Sequence, residues 1–90
     1  MSTITESSAQ IEDKVRHILK EHGRLLGDPT TLKAEADLYE AGMTSHASVN
    51  VMLALEAQFD VEFPDAMLKR GVFSSIATIR EALETLTKGR

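Results

Sequence analysis

The 90-residue chain is 42% hydrophobic, contains no cysteine and carries a net charge of −4. This size predicts one compact domain with little room for an enclosed active site, and the lack of cysteine excludes disulfides and thiolate metal sites. The acidic balance argues against nucleic-acid binding, and the sequence shows neither a membrane-spanning run nor a signal-peptide pattern, so we expect no membrane contact and a cytoplasmic location.

The first predicted element is an amphipathic helix of about four turns that Ser7 or Ser8 caps. Its apolar residues recur at spacings of three, four and seven, as on one face of a helix: Ile11, Val15, Ile18, Leu19 and Leu26. The pattern fades at residues 27–29, and a long connection without clear periodicity follows up to Met43. Such a loop is uncommon in a small domain and needs anchors, for which the candidates are Leu32, Leu38 and Tyr39.

A second helix is predicted to begin at Thr44 or Ser45, one of which caps it, and to run to about Phe59. Its high apolar content suits a central helix that touches several neighbours. Pro64 fits the first turn of a short third helix that ends at Gly71. Ser75 can cap a last helix, and we expect four residues on the apolar stripes or at their ends to be buried: Phe59, Phe63, Ile79 and Leu83.

Together these elements predict an all-α four-helix bundle with three longer helices, one short third helix and a long loop between helices 1 and 2. We expect the folded domain to span residues 9–87. A flexible N-terminal tail over residues 1–8 and a C-terminal tail over residues 88–90 complete the predicted organisation.

The sequence shows no catalytic machinery and no metal site. A nucleophilic serine needs a base and a group that orients the base. His46 follows Ser45 directly, but consecutive helical residues point about 100° apart. His17 and His22 are five residues apart, which does not place them on a shared helix face, so we predict neither catalytic residues nor a bound metal.

Two segments in the middle of the chain form a recognisable pattern. Residues 37–45 read Asp-Leu-Tyr-Glu-Ala-Gly-Met-Thr-Ser, and residues 55–65 read Leu-Glu-Ala-Gln-Phe-Asp-Val-Glu-Phe-Pro-Asp. Together they resemble the acyl carrier protein family, in which an Asp-Leu pair and a glycine precede a serine at the start of the second helix. A Leu-Glu-x-x-Phe helix end and a Glu-x-Pro-Asp-like entry to the third helix follow in that family. The resemblance covers about residues 11–86.

This resemblance implies that a phosphopantetheinyl transferase attaches 4′-phosphopantetheine covalently to Ser45. The thiol of that arm would carry an acyl or aminoacyl cargo as a thioester, loaded by an ATP-dependent activating ligase and passed to a downstream acceptor enzyme. The chain itself would be a monomeric carrier without enzymatic activity. A phosphodiester also suits a helix N-terminus physically, although the local motif alone is equally compatible with Ser45 as an ordinary helix cap.

Thr44 and His46 depart from the usual family pattern, which has Asp before the serine and Leu after it. In addition, Glu56 is the one acidic residue between Ser45 and Phe59. These departures resemble a small group of stand-alone bacterial carriers that are loaded with amino acids by ligases similar to tRNA-synthetase catalytic cores. The sequence does not assign roles to Thr44 and His46.

Charge is distributed unevenly along the chain. Residues 34–68 carry −7 with no Lys or Arg, and the remainder carries +3. This field can attract basic partner proteins, although a solvated acidic face would look the same by charge alone. Two other functions stay open: a helical interaction module without a prosthetic group, and a small hydrolase in which the fold brings a histidine to Ser45.

Overall fold

The computed structural model describes residues 7–88, which form three α-helices and no strand: α1 (Ser8–His22), α2 (Ser45–Phe59) and α3 (Ile76–Lys88). The all-α prediction is confirmed. The short third helix takes the form of two 3₁₀ turns, Asp65–Met67 and Arg70–Phe73. Its first turn stops because the backbone of Leu68 leaves the helical region, at φ −85° and ψ 61°. Residues 1–6 and 89–90, which fall in the two predicted tails, lie outside the described part of the chain.

Helix α1 begins with a reciprocal capping arrangement. The hydroxyl of Ser7 accepts a hydrogen bond from the backbone N–H of Gln10, whose side chain accepts one from the N–H of Ser7. The helix ends at His22, earlier than the apolar pattern predicted, and Arg24 has a left-handed φ of 53°, which cannot continue an α-helix. The placement of Leu26 on the helix core face was therefore wrong, since its side chain is 89% exposed.

Helix α1, and not α2, is the helix that packs against both of the others. Helix α2 buries only one face, through Ala47, Val51, Leu55 and Phe59. Val49 and Leu53 on the same helix are 49% and 53% exposed. The expectation that the apolar content of α2 marks a central helix was therefore wrong, because part of that apolar surface faces outward.

The predicted core residues are buried as expected. Phe59 and Phe63 are each 4% exposed, and Ile79 and Leu83 are fully buried. The ring of Phe63 meets Phe73 edge to face, with 5.3 Å between ring centroids. Burial of each such side chain contributes about 1.5–3 kcal/mol, and the contact between Phe63 and Phe73 ties the chain that follows α2 to the second 3₁₀ turn.

The long connection between α1 and α2 is attached to the helices by specific hydrogen bonds. Leu38 is fully buried, and its N–H donates to the carbonyl of Ser74 at 2.7 Å. The guanidinium of Arg16 on α1 donates to the carbonyls of Pro29 and Leu32 at 2.8 and 2.6 Å. The other two predicted anchors are partly buried against the core. The loop is therefore a packed part of the domain, and it delivers the chain to the start of α2.

Candidate functional site

The start of α2 presents the predicted site residue to solvent. Thr44 has an extended backbone, and its Oγ1 accepts a hydrogen bond from the N–H of Ala47 at 3.0 Å. Thr44 is therefore the cap of α2, and Ser45 is its first helical residue. Because Thr44 already accepts the hydrogen bond from the N–H of Ala47, the exposed hydroxyl of Ser45 is not needed as a cap.

Among the serines of residues 7–88, Ser45 is the one whose hydroxyl makes no hydrogen bond within that part of the chain. The other five are engaged through their hydroxyls: Ser7, Ser8, Ser48, Ser74 and Ser75. Ser48 is the closest competitor, one turn along α2, but its hydroxyl donates to the carbonyl of Ser45 at 2.6 Å. The hydroxyl oxygen of Ser45 is thus exposed to solvent and has no hydrogen-bond partner among residues 7–88.

The motif that precedes Ser45 has a structural role. A carboxylate oxygen of Asp37 accepts from the N–H groups of Tyr39 and Glu40, at 2.9 and 3.3 Å, which forms a compact turn. Leu38 anchors this turn in the core, and its carbonyl accepts from the N–H of the buried Met43 at 3.0 Å. The Asp-Leu pair therefore sets the position from which the chain enters α2.

The motif at the far end of α2 is structural as well. The side chain of Glu56 accepts a hydrogen bond from the N–H of Phe63 at 2.9 Å, and Asp60 ends the helix with a left-handed φ of 53°. Glu56 is the one acidic residue of α2, and its carboxylate is turned toward the backbone that follows the helix. The exposed surface of α2 near Ser45 consequently offers neutral and apolar side chains.

A groove with a volume of about 470 Å³ opens beside Ser45. Helix α2 lines it with Ser45, Ser48, Val49 and Met52, and the remaining lining residues are Tyr39, Leu68, Lys69, Arg70 and Phe73. The 3₁₀ segment after α2 is therefore what brings side chains distant in sequence to the serine. A flexible chain attached to Ser45 would have an apolar surface to lie against.

Two cations in this groove were not singled out by the sequence. Lys69 and Arg70 both line it, and the guanidinium of Arg70 lies 3.7 Å from the centroid of the Tyr39 ring. The sequence shows only that these two residues directly follow residues 34–68, which contain no Lys or Arg. Nothing in the sequence placed them beside Ser45, because that depends on how the 3₁₀ turns fold back.

Several alternatives find no support in the described part of the chain. No histidine is hydrogen-bonded to Ser45; His17 and His22 instead lie near Glu21 on α1, at 3.4 and 4.0 Å. Residues 7–88 contain no group of three His, Asp or Glu side chains arranged to hold a metal ion. None of the described helices is long and apolar enough to span a membrane.

Comparison with known proteins points in one direction. The family described as "Phosphopantetheine attachment site" matches residues 10–86. An aminoacyl carrier protein of Agrobacterium fabrum is 43% identical over 76 residues, which cover 84% of this chain and 92% of that protein. Aminoacyl carrier protein 1 of Bradyrhizobium diazoefficiens is 32% identical over 81 residues, which cover 90% of this chain and 86% of that protein.

A solved structure shows the same similarity in three dimensions. It is an engineered Bradyrhizobium japonicum glycine:carrier protein ligase complexed with carrier protein from Agrobacterium tumefaciens and AMP. One chain of this structure is 44% identical to the present one, with a TM-score of 0.79, over 81% of this chain and 97% of that chain. Sequence and fold are thus similar over most of the helical domain.

Proposed function

The chain belongs to the family of proteins with a phosphopantetheine attachment site, and on that premise we propose that Ser45 carries the arm and that its cargo is an amino acid. Members of this family carry 4′-phosphopantetheine covalently on a serine, and the chain is accordingly a carrier protein for an acyl or aminoacyl group. When attached, the arm supplies a terminal thiol that holds the cargo as a thioester.

The observation that carries the assignment of Ser45 is its exposed hydroxyl, which makes no hydrogen bond to residues 7–88. The surroundings fit the group. The first turn of an α-helix leaves backbone N–H groups without intrahelical partners, and their partial positive charge suits a phosphodiester. The groove beside Ser45 is open and contains two cationic side chains and no anionic one. The residues present therefore match an anionic, flexible group attached at this position.

The amino acid cargo is supported by the relatives and by the surface of α2. Both relatives above are named aminoacyl carrier proteins, and the solved complex pairs a similar chain with a glycine ligase. Helix α2 offers no free carboxylate, since Glu56 is bonded to the backbone of Phe63. A partner protein that recognises an acidic stripe would bind α2 weakly, whereas a partner that contacts neutral and apolar side chains would fit this surface. Glycine is the first cargo to test.

Three partner enzymes follow from this function. A phosphopantetheinyl transferase attaches the arm, an ATP-dependent amino acid ligase loads it, and a downstream enzyme accepts the cargo. The carrier contributes a position and a surface to these reactions. In line with the carrier proteins that it resembles, we propose that it has no catalytic activity of its own.

The decisive experiment is coexpression with a broad phosphopantetheinyl transferase, followed by intact-mass measurement and peptide mapping. The wild-type protein should gain one arm on Ser45, and Ser45→Ala should gain none while keeping its helical circular dichroism. Ser48→Ala is the matched control, one turn along the same groove, and it should still gain the arm. Attachment to Ser48, or to no residue, would contradict the proposal.

The cargo is tested with the arm-bearing protein. Incubation with ATP, a glycine:carrier protein ligase and a panel of amino acids and fatty acids should add the mass of an amino acid, and hydroxylamine should release it as expected for a thioester. Loading with fatty acids by an acyl-activating enzyme, without loading by any amino acid ligase, would reject the aminoacyl assignment and leave Ser45 in place.

A further inference from the structure

The charged side chains that line the groove beside Ser45 are both cations, Lys69 and Arg70. The protein as a whole is acidic, and residues 34–68, which include Ser45, carry −7 without any Lys or Arg. A phosphodiester fixed to Ser45 adds negative charge to a segment that is already acidic in sequence, and like charges repel. The two cations lie where they can offset that repulsion.

Arg70 is held in place by an aromatic ring. Its guanidinium lies over the Tyr39 ring, 3.7 Å from the ring centroid, which is a cation–π contact. The guanidinium N–H groups make no hydrogen bond to residues 7–88 and are available to a ligand. Within residues 7–88, no carboxylate lies within ion-pair distance of Lys69 or Arg70. Both cations thus line the groove that contains Ser45, and neither has an anionic partner among residues 7–88.

We propose that Arg70, assisted by Lys69, binds the phosphodiester of the arm and so acts as a positioning residue for it. This inference rests on the proposed attachment at Ser45. A planar guanidinium can donate two parallel hydrogen bonds to a phosphate, and a guanidinium already stacked on Tyr39 loses less freedom when it does so. Lys69 adds a second positive charge from the same segment.

This contact would restrict the direction in which a long flexible arm leaves the surface. The groove continues along apolar side chains of Val49, Met52 and Leu68, which can accompany the uncharged part of the arm. Restriction before docking lowers the conformational freedom that a partner enzyme must remove when it binds the arm. The contact therefore favours loading through orientation and does not take part in the chemistry.

The test compares the protein with and without the arm by NMR. Attachment should shift the Arg70 Nε–Hε signal and the Tyr39 ring signals, and the ³¹P signal of the arm should differ from that of a free pantetheine phosphodiester. Adding 1 M NaCl should return the ³¹P signal toward the free value, because salt screens the charges. These readouts use the wild-type protein and do not depend on how a variant folds.

Variants then test whether Arg70 is responsible for the contact with the arm. Arg70→Gln should lower the population of arm in contact by about twofold to fivefold, the range for an exposed ion pair, and Arg70→Lys should lie between that variant and wild type. Lys20→Gln is the control, since Lys20 is exposed on α1 and does not line the groove. It should leave the ³¹P signal unchanged.

Peptide mapping of the same samples separates the two claims. If the arm is on Ser45 but neither the Arg70 signal nor the ³¹P signal responds, the role of Arg70 is wrong and the attachment site stands. If the arm is absent from Ser45, the proposed function fails and the role of Arg70 fails with it.

Discussion

Leu26 lies so close to Gly42 that a Cβ atom at residue 42 would stand 2.9 Å from the Cγ atom of Leu26. The two segments are also joined by the N–H of Leu26, which donates to the carbonyl of Ala41 at 3.0 Å. Gly42 has a φ of +116°, a conformation that residues with a side chain rarely adopt. The turn that leads into Ser45 therefore depends on the lack of a side chain at residue 42.

Replacing Gly42 with Ala should lower the free energy of unfolding by about 1–3 kcal/mol, through backbone strain and the contact with Leu26. Urea denaturation followed by circular dichroism measures this. Leu26→Ala is the control and should change stability by less than about 0.5 kcal/mol, because that side chain is exposed. The double variant with Gly42→Ala and Leu26→Ala should still be destabilised nearly as much as Gly42→Ala, because the backbone strain at residue 42 remains. A Gly42→Ala variant as stable as wild type would contradict this account.

Replacing Thr44 with Ala should destabilise the protein by about 1 kcal/mol, because the cap on the N–H of Ala47 is lost. Thr44→Ser keeps a capping oxygen and should stay within a few tenths of a kcal/mol of wild type. Both variants should still accept the arm, since the hydroxyl of Ser45 is unchanged. Denaturation curves and intact mass check the two statements separately, and a stable Thr44→Ala protein would mean that the cap is not needed.

Glu12 on α1 binds two arginines, Arg16 on the same helix and Arg80 on α3. Its carboxylate accepts from Arg16 at 2.8 Å and from Arg80 at 2.9 Å, and its side chain is 23% exposed. The hydrogen bond from Arg16, aided by Arg80 and opposed by burial, holds the pKa of Glu12 below its ordinary value of 4.5. As pH falls, the unfolded chain therefore takes up a proton at this residue before the folded chain does. The contribution of Glu12 to stability is complete above pH 4.5 and is lost as pH falls through the lower folded value.

Glu12→Gln should consequently cost about 1–2 kcal/mol at pH 7. The difference between wild type and variant should shrink below pH 4.5 and disappear in stronger acid. Urea denaturation across pH 2.5–7 gives this difference directly. Asp13→Asn removes the same charge from an exposed neighbour and should cost less than about 0.5 kcal/mol at every pH. A wild-type advantage over Glu12→Gln that persisted unchanged at pH 2.5 would show that the charge is not responsible.

An apolar line follows Ser45 along α2. Val49 and Leu53 recur four and eight residues after the serine, which places them on nearly the same side of the helix, and both are about half exposed. We expect the loading ligase to bury Leu53. Leu53→Ser should then lower kcat/KM for loading by about tenfold, the effect of leaving roughly half a leucine side chain in water.

Leu53→Met keeps an apolar side chain and should load nearly as well as wild type. The flanking acidic residues give a separate, smaller effect: Glu40→Gln should lower the association rate at low salt, and the difference should fade as NaCl is added. Loading that is unaffected by Leu53→Ser and falls steeply with salt would place the interface on the acidic loops instead.

Much of the fold could be read from the chain. Apolar spacing located α1 and α3, a cap and a high apolar content located α2, and Phe59, Phe63, Ile79 and Leu83 are buried as expected. The family resemblance, read from residues 37–45 and 55–65, is confirmed by a match over residues 10–86. The assignment of the arm to Ser45 stays a prediction. The error at Leu26 arose because the apolar periodicity continues through residue 26, whereas the helix ends at His22 and the backbone of Arg24 is left-handed.

Local patterns sufficed wherever the physics is local: helical periodicity, a capping serine before α1 and a serine at the start of α2 all depend on residues a few positions apart. The surroundings of Ser45 depend on contacts between distant segments. Three-dimensional packing turns Glu56 toward Phe63, leaves Val49 and Leu53 exposed on an apolar helix, and brings Lys69 and Arg70 to the groove. The 3₁₀ turns after α2 settle where these cations lie, because Phe63 and Phe73 pack into the core and carry the intervening chain back toward the serine.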